Sequence, residues 1–188
     1  MARIAAVVLA AGEASRFGAP KQRILLPAVL DRVRGAPVDE IVVVSGAYDL
    51  ERCGSEPGPP CRVVSCPEWE RGPGASLRCG LAALDDGVEA AVVVLADGPD
   101  LAPAAVERVL AVWRSEGGIV AASYAGGRGH PLVIGRADWS DVPVEGLHAR
   151  PARLVPCDDL GPPGDVNTPE DLRKTGIRSR GSRSLEDP

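Results

Sequence analysis

Aromatic side chains are nearly missing from this chain: one Phe, two Tyr and three Trp among 188 residues, or 3%. A surface so poor in rings offers no platform for stacking single-stranded bases. Basic charge is also short. The net charge is −5 with His neutral, which argues against a protein that grips a phosphate backbone. No nucleic-acid partner is expected. Long apolar runs are absent too, and a bilayer span needs about 20 such residues. Ala2-Arg3-Ile4 leads straight into a predicted strand, so neither a signal peptide nor a membrane partner is expected, and the cytoplasm is the expected location. The five cysteines, Cys53, Cys61, Cys66, Cys79 and Cys157, are odd in number and form no C-x-x-C. Zinc ligation is therefore not expected. Reduced, structural thiols are the expectation, with a redox role for Cys66 or Cys79 as the alternative.

What is present is an aliphatic protein, 45% hydrophobic, long enough for one real core of Val, Leu, Ile and Ala. Residues 1–177 read as one domain. Residues 178–188, polar and without periodicity, read as a disordered tail.

The chain is organised around residues 9–22, Leu-Ala-Ala-Gly-Glu-Ala-Ser-Arg-Phe-Gly-Ala-Pro-Lys-Gln. The apolar run Ile4 to Leu9 before it reads as a buried parallel strand. Small residues let the backbone N–H groups of the loop approach a ligand, and Arg16 and Lys21 add two cations. Fixed donors plus cations suit a polyphosphate. The plain alternative is a strand-to-helix turn with surface charges. The loop is not G-x-x-x-x-G-K-[ST], because Gly18 is followed by Ala-Pro-Lys, and it holds no G-x-G-x-x-G.

Further along, Ile24 to Arg34 is a predicted helix with Pro27 in its first turn, and Val38 to Ser45 and Arg62 to Ser65 are predicted strands. Gly72 and Gly74 bend the chain before a predicted helix over Ser76 to Leu84, where Ser76 and Arg78 either meet a nucleotide or serve as cap and surface charge. Ala90 to Leu95 is a strong buried strand ending at Asp97. A carboxylate at the tip of a central parallel strand sits where α/β sheets place ligands, so Asp97 is a candidate metal ligand. Its plain alternative is a helix cap, a role that Asp100 and Pro103 fill instead. Gly118 to Tyr124, a turn over Ala125 to Pro131 and a strand over Leu132 to Ile134 give a hairpin that breaks the βα alternation, with His130 at its re-entry. Residues 139–150 read as a short helix with loops, and 152–156 as a last strand. Thr168 and Pro169 read as N-cap and first residue of a final helix.

Five segments in order resemble one pattern. Leu9 to Gln22 is similar to L-A-A-G-x-x-x-R-M-G-x-P-K-Q, with Phe17 at the Met position. Residues 66–81 resemble N-P-x-W-x-x-G-M-G-x-S-L-R-x-G-L, with Cys66 for Asn and Pro73 for Met. Leu95 to Leu101 resembles L-A-D-Q-P-x-L, with Gly98 for Gln. Gly127 to Pro131 resembles G-x-x-G-H-P, and Asp165 to Leu172 resembles D-I-D-T-P-E-D-L. On these motifs the chain resembles the MobA-like NTP transferase domain, and within it the molybdenum cofactor cytidylyltransferases.

The resemblance implies a Rossmann-like, three-layer α/β/α fold of the nucleotide-diphospho-sugar transferase type, with a mostly parallel sheet. It implies Mg²⁺-dependent transfer of NMP from an NTP to a phosphorylated acceptor, with release of pyrophosphate. Leu9, Ala10, Ala11, Gly12, Arg16, Lys21, Ser76 and Arg78 would bind the nucleotide; Arg16, Lys21 and Asp97 would be catalytic. Asp97 and Asn167 would hold the metal with Asp165 in support, and His130 would meet the acceptor. The L-A-A-G form favours CTP, and the molybdenum cofactor or molybdopterin is the implied acceptor, with a molybdoenzyme as a possible partner. Alternatives are a guanylyltransferase or other small-molecule nucleotidyltransferase, a non-catalytic nucleotide-binding accessory protein for a molybdoenzyme, and an oxidoreductase. The absent G-x-G-x-x-G argues against the last.

Overall fold

The computed structural model describes residues 2–13, 17, 21–50 and 57–177. Arg16, Gly18, Cys53 and the tail 178–188 lie outside the described residues.

Seven strands form one sheet in the order β3-β2-β1-β4-β6-β5-β7. They are β1 (Arg3–Leu9), β2 (Glu40–Ser45), β3 (Cys61–Ser65), β4 (Val88–Leu95), β5 (Ile119–Tyr124), β6 (Gly127–Gly135) and β7 (Arg153–Pro156). β1 is parallel to β2 and β4, and β2 to β3; β6 runs antiparallel to both β4 and β5, and β7 is parallel to β5. The expected mostly parallel α/β sheet with one antiparallel excursion is what forms.

The near-continuous Val, Ile and Ala runs of β1, β2 and β4 are explained by burial on both faces. Alternation sorts them. Ile4, Ala6 and Val8 pack with Leu26, Val29 and Leu30 of α1 (Lys21–Arg34) and with Val106, Val109 and Leu110 of α3 (Pro103–Glu116). Ala5 and Val7 pack on the other face with Leu77 and Leu81 of α2 (Pro73–Ala82), beside Val142 and Leu147. Gly80 lets α2 press onto the sheet: a Cβ there would stand 2.5 Å from Val7 Cγ1. A short α4 (Pro169–Thr175) closes the described chain. No helix among the described residues is long and apolar enough to cross a membrane.

Strand order reverses between β1 and β4, and Leu9 pairs with Leu95. The carboxyl ends of these two strands therefore lie level, at the switch point where doubly wound sheets form a crevice.

Several expectations need correction. α1 starts at Lys21, three residues before the apolar periodicity, so Pro27 lies inside it rather than in its first turn. The hairpin turn shrinks to two residues, because β6 already begins at Gly127. The segment after β6 holds two short 3₁₀ turns, Arg136–Asp141 and Leu147–Ala149, instead of a helix. The N-cap of α3 is Ala102, without a side-chain bond, so neither Asp97 nor Asp100 caps it. Cys66 and Cys79 are not reduced thiols but a disulfide, with Cα atoms 5.7 Å apart. Cys66 follows β3 and Cys79 sits in α2, which folds back onto the same sheet face, within the usual bridging range. Cys157 is a buried free thiol.

Candidate active site

The turn after β1 begins with a fixed backbone. Ala10 N donates to Val44 O at 2.9 Å, and Ala11 O accepts from Ala47 N at 3.0 Å. The amides of Ala11 and Gly12 follow in the open turn. A Cβ built on Gly12 would meet nothing within 4 Å, so its backbone faces free space. That space is a cavity of about 250 Å³, lined among others by Leu9, Ala10, Gly12, Phe17, Leu95 and Asn167.

Lys21 stands at the start of α1 with its side chain 9% exposed. Its Nζ donates to Asp97 Oδ2 at 3.1 Å, to Val166 O at 2.7 Å and to Asn167 Oδ1 at 3.5 Å. Three oxygens from two segments thus converge on one cation. Their convergence is built by the backbone. Val166 N donates to Asp97 O and Asp100 N to Pro163 O, which fastens the 163–167 segment along the turn after β4. Thr168 then caps α4, as expected, and the structure adds a reciprocal box with Asp171, whose Oδ2 also accepts from Asn167 N. The cap therefore holds Asn167 by its main chain beside Asp97.

The remaining predicted residues spread out. Asp165 is exposed and does not line the cavity. Ser76 is buried in α2 and Arg78 donates to Val142 O at 2.9 Å, so both sit on the α2 face, off the cavity wall. His130 lies on β6, where burial first and the Arg128 charge second lower its pKa to about 4, with Asp97 acting weakly the other way. The imidazole is thus neutral at pH 7 and lies within the electrostatic reach of Asp97. Arg16 is outside the described residues.

Two residues at this end of the sheet were missed in the sequence. Gln22 lines the cavity, and Arg128 donates from Nη1 to Arg150 O while its Nη2 is buried without a partner. The signal for Gln22 was in plain view, since the first motif ends on Gln rather than on Lys.

A metal fits the donor set. Asp97 and Asn167 supply a carboxylate and an amide oxygen already aimed at one positive centre. Hard divalent cations such as Mg²⁺ take few protein oxygens and keep water and substrate phosphates as the rest. No group of three or more His, Cys, Asp or Glu is gathered among the described residues, so an all-protein cage is not formed.

The family model for the MobA-like NTP transferase domain matches residues 6–154. Among solved structures, Rv0371c from Mycobacterium tuberculosis H37Rv is 30% identical, with 92% of this chain and 97% of that one covered and a TM-score of 0.72. Its homologue from Mycobacterium sp. strain JC1 is 27% identical over 92% and 94%, with a TM-score of 0.71. A manganese complex of Rv0371c is similar at 28% identity over 92% and 97%, with a TM-score of 0.65. No curated protein matches the chain. The chain belongs to the MobA-like NTP transferase family and is a nucleotidyltransferase.

Proposed function

We propose that this member of the MobA-like NTP transferase family transfers CMP from CTP to a phosphorylated acceptor of the molybdopterin type, with Mg²⁺ and release of pyrophosphate. The observation that carries the reading is the meeting of Lys21, Asp97 and Asn167 at one cavity beside the Gly12 turn. A triphosphate needs donors, a cation and a divalent metal in one place, and phosphoryl-type transfer needs little else from a protein.

In this reading the amides from Ala11 onward hold the phosphates, and Arg16 neutralises the leaving pyrophosphate. Lys21 leaves its carboxylate partner for the α-phosphate, where charge is redistributed as one bond replaces another. Asp97 and Asn167 would hold the divalent ion, which supplies Lewis-acid polarisation of the α-phosphate when bound. The manganese complex of Rv0371c supports a divalent ion at this fold. The nucleophile is an oxygen of the acceptor's phosphate, so no Ser, Cys or His nucleophile is required. Neutral His130 is suited to a hydrogen bond with the acceptor.

The test is pyrophosphate release from each of four NTPs with Mg²⁺ or Mn²⁺, with and without molybdopterin. Release from CTP only when molybdopterin is present is the expected result. Preference for GTP would assign a guanylyltransferase instead. Tight NTP binding with no release under any acceptor would favour the accessory-protein reading, which the neutral Asn167 ligand suits.

A further inference from the structure

We propose that Gln22 is a specificity-determining residue whose Oε1 accepts a hydrogen bond from a hydroxyl or amino group on the nucleoside half of the bound NTP. The inference rests on the nucleotidyltransferase reading above.

Gln22 is 5% exposed and lines the cavity. Its Nε2 donates to Gly12 O at 2.6 Å. That contact fixes the orientation of the amide, since a carbonyl can only accept and the group facing it must be the NH₂. Oε1 is therefore the free end, buried and without a hydrogen-bond partner. Buried amide oxygens are nearly always paired, and an unpaired one is costly. An orphan acceptor in the wall of a substrate cavity is accounted for when the substrate brings the donor.

The chemistry says which part of the substrate that is. A triphosphate at neutral pH offers acceptors alone, so an amide oxygen cannot bind it directly. Donors on a nucleotide are the ribose hydroxyls and the base amino or imino groups. The adjacent residue makes the complementary choice: Lys21, a donor, faces Asp97 and the metal side. Consecutive side chains on the first turn of α1 thus point about 100° apart, Lys21 toward Asp97 and Gln22 toward Gly12 O. Nε2 on Gly12 O also couples the two halves, because the same amide that reads the nucleoside pins the turn that holds the phosphates.

The test is ligand-induced thermal shift with Mg²⁺, converted to relative affinity, for CTP, 2′-deoxy-CTP, 3′-deoxy-CTP and the CTP analogue lacking the 4-amino group. In the natural protein, one of the three analogues should bind roughly three- to tenfold more weakly than CTP, as expected for one lost hydrogen bond. Which analogue suffers tells a ribose hydroxyl from the base amine. In Gln22→Met, the ratio of that analogue to CTP should collapse to about one, on top of a loss common to all four ligands because the Gly12 turn is no longer pinned. Gln22→Asn, which keeps the amide but withdraws it, should do the same. A purely structural Gln22 would weaken all four ligands alike and leave the ratio intact, which overturns the inference, as does a natural protein that treats the analogues and CTP equally. Failure of every NTP to shift the natural protein would instead overturn the nucleotidyltransferase reading itself, and this inference with it.

Discussion

The Nζ of Lys21 lies 3.1 Å from Oδ2 of Asp97, across 76 residues of sequence, and joins the first βα turn to the tip of a neighbouring strand. The same ammonium also sits on Asn167 Oδ1 and Val166 O. In the free protein Lys21 therefore occupies the oxygens proposed to hold the divalent ion. Replacing it should move two measurements in opposite directions. Lys21→Met should lower pyrophosphate release by about 10²- to 10³-fold, the loss typical of one preorganised electrostatic donor. It should also tighten Mn²⁺ binding to the nucleotide-free protein, because a competing cation is gone. Calorimetric titration of Mn²⁺ alongside steady-state turnover checks both, and unimpaired turnover would reject the assignment of Lys21.

Asn167 offers one neutral oxygen where a carboxylate would offer charge, and Asp165 is exposed away from the cavity. Asn167→Asp should consequently reduce the metal concentration for half-maximal activity by several-fold, since ligand charge sets affinity for hard cations. Asp97→Asn should raise it steeply. A metal titration at saturating NTP gives the answer, and an unchanged midpoint in both variants would remove these residues from the metal site.

These two residues also mark how far the sequence could be read. Asp97 and the Gly12 turn were legible because a buried strand and its ending fix where the tip must lie. The mostly parallel sheet and its one antiparallel hairpin followed from the buried runs and the family motifs, whereas the order of the strands was not read, and helix starts were misjudged where polar residues such as Lys21 and Gln22 carry the first turn. The disulfide was hidden, since a bridge depends on α2 folding back beside β3, which spacing alone does not encode. Arg78 was ambiguous for a similar reason. Its partner, Val142 O, is 64 residues away in a segment with no periodicity to place it.

His130 gives a pH signature. Its folded pKa of about 4 lies below the ordinary 6.5, chiefly through burial. The unfolded chain takes up the proton first, so stability falls as pH drops from about 6.5 to 4 and this group adds nothing further below that. The gap corresponds to a ceiling of roughly 3 kcal/mol. In urea unfolding, His130→Asn should lose less stability than the natural protein between pH 7 and pH 4.5. Parallel curves for the two would show that His130 titrates normally.

The Cys66–Cys79 bridge closes a short loop, with a sequence separation of 13. Loops of this size contribute about 2–3 kcal/mol through the unfolded state. Cys66→Ser/Cys79→Ser should lower the unfolding midpoint of the oxidised protein by the equivalent of that amount, and dithiothreitol should lower the natural protein at least as far, since Cys61 is also disulfide-bonded. Equal midpoints with and without reductant would mean that the bridge contributes nothing to stability.

Gly46 tests the turn without touching any charged group. It follows β2, and a Cβ there would stand 2.6 Å from Ala11 O and 2.6 Å from Trp69 Cγ. Neither neighbour gives way freely. Ala11 O already accepts from Ala47 N, and Trp69 packs against the α2-side core from its own 3₁₀ turn. Gly46→Ala must therefore push the Ala11–Gly12 backbone or the indole aside, at a cost of roughly 1–3 kcal/mol for overpacking. If the backbone yields, NTP affinity falls while the Lys21–Asp97 pair remains and metal binding to the free protein is unchanged. If the indole yields instead, stability falls and NTP affinity is retained. Thermal unfolding together with NTP and Mn²⁺ titrations separates the two, and loss of NTP affinity with metal binding intact is the expected outcome. An alanine variant as stable as the natural protein would show that the turn and Trp69 are not in the close contact described.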